Sequence, residues 1–231
     1  MDLSTELAGI RLRNPLVLAS GVLGVTASSM ARVAGAGAGA VTTKSIGPRR
    51  RMGHKNPTVV ELDYGLLNAI GLSCPDPAEA IDALKETIKQ VDVPVIASFF
   101  AGTVSEFGYM AELLSGAKPD FLEANISCPN VEDSLGKPFG CSHQMAAKVT
   151  RAVKNSCKIP LIVKLTPNVV DIKVIAGAVE EAGADVISAI NTVGPGMKID
   201  VKGGKPVLSN RVGGLSGPAI KPIAVRCVYD I

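Results

Sequence analysis

Short apolar runs recur along the chain, each introduced by glycine, proline or aspartate and followed by a polar residue. Runs of this length predict buried β-strands. The six runs occupy residues 15–19, 39–43, 94–97, 120–124, 160–163 and 185–190. Their valine, isoleucine, leucine and alanine content is typical of parallel strands that are covered by helices.

Helical segments separate most of these runs. The clearest start is Asp76-Pro77-Ala78-Glu79, where aspartate can cap the helix, proline takes the first helical position and glutamate follows three residues after the cap. Apolar residues then recur at helical spacing. Similar patterns predict further helices over residues 103–114, 145–153, 172–183 and 218–229.

The alternation of strand and helix predicts an α/β fold with a parallel sheet and helical crossovers. No Gly-x-Gly-x-x-Gly follows the first run, which favours a TIM (β/α)8 barrel over a doubly wound sheet. Hairpins are predicted within residues 1–13 and, as an insertion, within residues 196–210. Since the sixth helix reaches the last residues, the last two βα units are missing, and we expect a chain longer by roughly 50–80 residues.

Composition narrows the class of protein. The chain has 231 residues, 47% of them apolar and only 3% aromatic, so we expect one domain over residues 1–231 with an aliphatic core. A formal net charge of +3 is too small to indicate nucleic acid or an anionic membrane surface as a partner. No apolar run approaches the roughly 20 residues of a membrane span, and the N-terminus does not resemble a signal peptide. We therefore expect a cytoplasmic protein.

The cysteines do not form a recognisable framework. There are five of them and no Cys-x-x-Cys motif, so neither a disulfide scaffold nor a zinc site is indicated. No other metal site is predicted. Most of these thiols should be small core residues, and one can be chemical.

Polar residues follow the predicted strands, where barrel enzymes place their active sites. These residues are Ser20, Lys44, Ser45, Ser98, Asn125 to Cys128, Lys164, Asn191 and Thr192. They include no carboxylate pair for glycoside hydrolysis and no histidine to activate a nucleophile; His54 and His143 are expected in loops. Two lysines with hydroxyl and amide groups suit a flat ligand that carries phosphate and carbonyl groups, such as a flavin.

One of these segments resembles a known family. Asn125-Ile126-Ser127-Cys128-Pro129-Asn130 is similar to the catalytic segment of class 1 dihydroorotate dehydrogenases. The other matching segments are Thr43-Lys44-Ser45, Asn68-Ala69-Ile70-Gly71-Leu72, Asn191-Thr192 and Gly213-Gly214-Leu215-Ser216-Gly217-Pro218-Ala219-Ile220. The resemblance runs from about Leu7 to the end, and implies an FMN-binding barrel that oxidises (S)-dihydroorotate to orotate in pyrimidine biosynthesis.

The resemblance also implies roles for individual residues. Cys128 would be the base that removes the C5 proton while the C6 hydride passes to FMN. The implied FMN-binding residues are Ser20, Lys44, Ser45, Ser98, Asn125, Lys164, Ile190 and Gly217. The implied substrate-binding residues are Lys44, Asn68, Ala69, Ile70, Gly71, Leu72, Asn125, Asn191 and Thr192.

Two departures from the family pattern bear on the cofactor. Ser98 stands where much of the family has asparagine, and its shorter side chain reaches less far towards a flavin. The glycine-rich turns that wrap the FMN phosphate in the family are absent, so residues 1–231 alone should bind FMN poorly.

A cysteine base separates the chain from the membrane-associated class of this family, which uses serine. Asn68 to Leu72, followed by a proline-containing turn, resembles the NAD-linked 1B type more than the homodimeric type that uses fumarate. That type implies a partner subunit with FAD and an iron–sulfur cluster, around a homodimeric core or in a heterotetramer.

Two alternatives remain open from the sequence. One is a related flavin barrel that acts on another pyrimidine, like the pyrimidine-reducing domain of a dihydropyrimidine dehydrogenase. The other is a barrel without catalytic activity that only binds a phosphorylated ligand.

Overall fold

The computed structural model describes residues 2–127 and 139–231. The strands are β1 (Thr5–Leu7), β2 (Ile10–Leu12), β3 (Val17–Leu18), β4 (Ala40–Thr42), β5 (Val59–Leu62), β6 (Gly65–Asn68), β7 (Val95–Phe99), β8 (Phe121–Asn125), β9 (Leu161–Lys164), β10 (Val186–Ser188), β11 (Val193–Gly196), β12 (Ile199–Asp200), β13 (Lys205–Pro206) and β14 (Gly213–Ser216). The helices are α1 (Ala27–Gly35), α2 (Pro77–Gln90), α3 (Val104–Ser115), α4 (His143–Ser156), α5 (Ile172–Glu181) and α6 (Lys221–Asp230).

Six strands form one curled, parallel sheet in the order β3-β4-β7-β8-β9-β10. They are the strands that the six apolar runs predict, so the barrel class is confirmed. A helix lies between each successive pair of these strands along the chain, as parallel pairing requires. The carboxyl ends of the six strands therefore meet at one edge of the sheet.

The two faces of this sheet bury different clusters. On β8, Leu122 and Ala124 pack against the helices, so the alternation of a strand places Phe121, Glu123 and Asn125 on the opposite, concave face. Leu12 of the N-terminal hairpin covers the lower part of that face. It packs against Ala40, Ile96, Phe121 and Ile162. The polar groups at the carboxyl ends of the strands therefore lie above this apolar layer, on the same face of the sheet.

The helix layer is anchored by aromatic contacts. Phe107 of α3 is fully buried, and its ring meets those of Phe99 and Phe139 edge-on, with centroids 5.8 and 5.6 Å apart. This arrangement is the favoured geometry for aromatic pairs. Among residues 2–127 and 139–231, no helix combines the length and apolarity that crossing a membrane requires.

One expectation about the histidines is wrong. His143 is the first residue of α4 and does not lie in a loop. The Ser142 hydroxyl accepts a hydrogen bond from the Met145 amide and so caps the helix. Serine is a favoured N-cap residue, and this cap explains why the helix begins two residues before the apolar pattern does.

A second sheet is antiparallel and has the order β11-β14-β6-β5. The sequence pattern does not predict it, because its strands are short and Gly213 and Gly214 of β14 provide no hydrophobic alternation. Gly214 pairs with Asn68, and Leu215 pairs with both Leu67 and Val193. This sheet therefore places the segment that begins at Asn68 beside the residues that follow β10.

Candidate active site

Hydroxyl groups from three parallel strands meet at the carboxyl edge of the sheet. Ser45 Oγ lies 2.9 Å from Ser98 Oγ and 3.3 Å from Ser20 Oγ. It also accepts a hydrogen bond of 3.1 Å from Asn125 Nδ2. Ser98 is fully buried, so its hydroxyl supports Ser45 from below. The structure thus brings together four of the residues predicted to bind the cofactor.

The network continues from Asn125 towards β10. Asn125 Oδ1 accepts hydrogen bonds from the amide and the hydroxyl of Ser127, at 3.3 and 2.7 Å. The Ser127 hydroxyl in turn accepts one of 2.6 Å from Asn191 Nδ2. Asn191 Oδ1 then accepts the Thr192 amide at 2.8 Å. Buried amide and hydroxyl groups linked in this way hold one another in a defined orientation.

The segment 68–72 lies on the other side of the strand ends. Asn68 Nδ2 donates to the Gly214 carbonyl at 3.4 Å, and a methyl group at Gly214 would overlap the Thr192 hydroxyl. Gly71 and Leu72 both have positive φ, 77° and 56°. Such a conformation costs a leucine about 1–2 kcal/mol, so the turn after Asn68 is held by its surroundings.

Lys44 connects the segment 68–72 back to Ser45. Its ammonium group donates a hydrogen bond of 2.5 Å to the carbonyl of Ser73, directly after the segment 68–72. Lys44 is also next to Ser45 in the chain. These residues form a ring at the carboxyl edge of the sheet, in which each member is joined to the next by a hydrogen bond, by close packing or by the chain itself. The members of the ring are Ser45, Asn125, Ser127, Asn191, Thr192, Gly214, Asn68, Ser73 and Lys44.

Lys164 ends β9, on the concave face and next to Asn125 in the sheet register. It is 8% exposed and, within residues 2–127 and 139–231, its side chain makes no hydrogen bond or ion pair. A buried charge without a partner is costly. Lys164 is therefore suited to a ligand that brings an oxygen or nitrogen acceptor.

The remaining predicted residues are placed less centrally. Ile190 follows β10, is half-buried and packs against the helix-side core. Gly217 follows β14 with φ 101° and lies against Gly65. Cys128, the predicted base, lies outside the described residues.

The cysteines within the described part of the chain are less suited to chemistry. Cys74 is buried, and its thiol donates to the Arg49 carbonyl at 3.4 Å. Burial raises the pKa of the Cys157 thiol, so this group stays protonated at neutral pH. Neither residue has the character of a base.

The sequence analysis missed two residues of the site, Ser73 and Asn168, and gave no role to a third, Ser127. Ser127 links Asn125 to Asn191 by hydrogen bonds, and the Ser73 carbonyl accepts a hydrogen bond from Lys44. Asn168 Nδ2 donates a hydrogen bond of 3.2 Å to the Thr192 carbonyl. Ser127 lies within the recognised motif, so only its role was missed. The other two become visible only once the loops are folded.

Comparison with known proteins agrees with this geometry. The profile of the family described as dihydroorotate dehydrogenase matches residues 2–231. The catalytic subunit of dihydroorotate dehydrogenase B (NAD(+)) from Methanosarcina mazei is 53% identical over 226 residues, which are 97% of this chain and 71% of the relative. The protein of the same name from Pyrococcus abyssi is 46% identical over 99% of this chain and 75% of its own length.

Solved structures show the same fold at lower identity. Ligand-free DHODH from Eimeria tenella superposes with a TM-score of 0.82 at 19% identity, over 99% of this chain and 71% of that one. Its complex with ferulenol gives 0.79 at 18% identity, over 99% and 69%. The fold, the profile match and the relatives agree, and this chain belongs to the dihydroorotate dehydrogenase family.

Proposed function

We propose that this chain is the catalytic subunit of an NAD-linked dihydroorotate dehydrogenase, which oxidises (S)-dihydroorotate to orotate in pyrimidine biosynthesis. The observation that carries the proposal is the ring of amide, hydroxyl and lysine groups at the carboxyl edge of the sheet, in a chain that matches this family over residues 2–231.

The residues present fit FMN as the cofactor. Lys164 has a buried ammonium group that can donate a hydrogen bond to a flavin, and a positive charge beside the pyrimidine part of a flavin favours its reduced, anionic form. The hydroxyl groups around Ser45 can donate to further acceptors. The residues that would hold FMN are Ser20, Lys44, Ser45, Ser98, Asn125, Lys164, Ile190 and Gly217. When bound, FMN supplies an acceptor for the hydride from C6 of dihydroorotate.

The substrate is an anion with ring amides and carbonyls, and the ring of residues provides complementary groups. Asn125 and Asn191 each use one of two amide hydrogens within the network, so each keeps one for a substrate oxygen. Lys44 brings a positive charge beside the segment 68–72. The proposed substrate-binding residues are Lys44, Asn68, Ala69, Ile70, Gly71, Leu72, Asn125, Asn191 and Thr192.

Cys128 is the proposed base for the C5 proton. It directly follows Ser127, which donates a hydrogen bond to Asn125, accepts one from Asn191 and is held in place by both. The residue directly before Cys128 is therefore held in a defined position. Removal of a proton by a positioned group typically contributes about 10²- to 10⁴-fold to a rate.

Spectroscopy of the flavin tests the cofactor and the substrate together. We expect anaerobic dihydroorotate to bleach the visible flavin band of the FMN-loaded enzyme, because hydride transfer reduces the flavin. Dihydrouracil is the matched control, since it lacks the carboxylate. Bleaching by dihydrouracil and not by dihydroorotate would assign the chain to a different pyrimidine reaction.

We further propose a partner subunit that carries FAD and an iron–sulfur cluster, on a homodimeric core or in a heterotetramer. The support is that the relatives from Methanosarcina mazei and Pyrococcus abyssi are named catalytic subunits. The catalytic chain alone should reduce NAD⁺ slowly with dihydroorotate, and addition of the partner should restore turnover. Rapid turnover of the isolated chain with fumarate would contradict this assignment.

A further inference from the structure

One acidic side chain lies inside the sheet below the candidate site. Glu123 is the central residue of β8 and is 5% exposed. It lies on the concave face, between Phe121 in the apolar layer and Asn125 in the polar one. Within the described residues, its Oε1 atom is buried and accepts no hydrogen bond. The proposed function does not use this group.

Two lysines flank Glu123 on the same face. Lys164 lies on the neighbouring strand β9, one residue pair closer to the mouth, since it is paired with Asn125. Lys44 follows β4, which is separated from β8 only by β7. The direct neighbours of Glu123 in the register, Ser98 and Ile162, carry no charge.

Lys164 is the cation that Glu123 can reach most easily. Diagonal neighbours on adjacent strands have Cβ atoms roughly 7–8 Å apart, which long side chains can span. Lys44 is one strand further away and donates to Ser73. The ammonium group of Lys164 has neither a hydrogen bond nor an ion pair within the described residues.

Burial makes this juxtaposition energetically significant. A buried carboxylate oxygen without a partner destabilises the fold, and so does a buried ammonium group without one. The Glu123 carboxylate and the Lys164 ammonium group form no ion pair within 4 Å in the described part of the chain. Two opposite charges on neighbouring strands stabilise each other when they approach. Such an approach would hold the ammonium group from below and leave it less freedom to turn away from a ligand above it.

We propose that Glu123 is a positioning residue for Lys164: its carboxylate holds the Lys164 ammonium against the bound flavin and so favours the reduced cofactor. This inference rests on the proposed binding of FMN. Glu123 acts through Lys164, without touching substrate or flavin itself.

The test is the midpoint potential of bound FMN in E123Q, K164M and the double variant, measured by spectroelectrochemistry. E123Q keeps the shape of the side chain and removes its charge. We expect E123Q to shift the potential to a more negative value, equivalent to about a tenfold weaker preference for reduced flavin, since a hydrogen bond between charged groups contributes about that much. In the K164M background, E123Q should cause no further lowering.

The direction of the shift separates this role from a simple charge effect. Removing a negative charge that acts through space alone would move the potential to a more positive value. A positive shift, no shift, or an equal lowering with and without Lys164 overturns the inference. E123D, which retains the carboxylate, should give a smaller lowering than E123Q and serves as the second variant.

Two controls identify other failures. Glu180 is exposed on α5, so E180Q should leave the potential unchanged. Quenching of FMN fluorescence on binding reports loading of each variant independently of activity. All of these measurements use the full-length protein. If the unaltered full-length protein does not bind FMN, the proposed function fails and this inference fails with it; a failure confined to the potentials refutes the inference alone.

Discussion

Replacing Cys128 with alanine is expected to slow reduction of the flavin by dihydroorotate by about 10²- to 10⁴-fold, because the C5 proton then has no base. Binding of FMN and of orotate should change little, since the ring formed by Ser45, Asn125, Asn191 and Lys44 does not depend on this thiol. Rapid mixing under anaerobic conditions measures the rate, and an orotate titration of the flavin spectrum measures binding.

A matched control for this variant is Cys141→Ala, which removes an exposed thiol further along the chain. It should leave the reduction rate within about twofold of the original. Equal losses in the two variants, or a Cys128→Ala enzyme that is reduced at the normal rate, would assign proton removal to a different group.

Replacing Gly214 with alanine is expected to lower kcat/KM for dihydroorotate by about 100-fold. The added methyl group would overlap the Thr192 hydroxyl, while the Gly214 carbonyl accepts a hydrogen bond from Asn68. Thr192 or the β14 backbone must therefore move, and displacements of about 1 Å can cost 10²-fold in rate. The free energy of unfolding should fall by only about 1–3 kcal/mol. Steady-state kinetics and urea unfolding measure the two effects.

Gly177→Ala provides the matched control. Gly177 lies within α5, and a methyl group there would meet nothing within 4 Å. Alanine favours a helix, so this variant should keep its activity and gain slightly in stability. If Gly214→Ala retains full activity, the close contact between β14 and Thr192 has no role in substrate binding.

The parallel sheet could be predicted because its central strands, β4, β7, β8 and β9, are buried on both sides. Such strands appear as continuous apolar runs, and all six runs became strands. The rule that barrel sites lie at strand ends then brought Ser45, Asn125 and Lys164 to one edge without any knowledge of register. These parts of the prediction depend only on local sequence.

Other parts depend on contacts between distant segments. The antiparallel sheet pairs Asn68 with Gly214, and no local pattern marks a strand as short and glycine-rich as β14. Glu123 could not be located either, because a charged residue within an apolar run does not reveal which face it occupies until the register of β8 and β9 is known. The partner of Lys44, Ser73, depends on the path of a loop in the same way.

The structure of the complex with FMN and orotate tests the central claim most directly. Orotate should lie inside the ring formed by Lys44, Asn68, Asn125 and Asn191, with the Cys128 sulfur about 3–3.5 Å from C5, the separation that proton transfer requires. The flavin should contact Lys164 and the hydroxyl of Ser45. Orotate bound outside this ring, or the sulfur on another side of the molecule, would contradict the proposed mechanism.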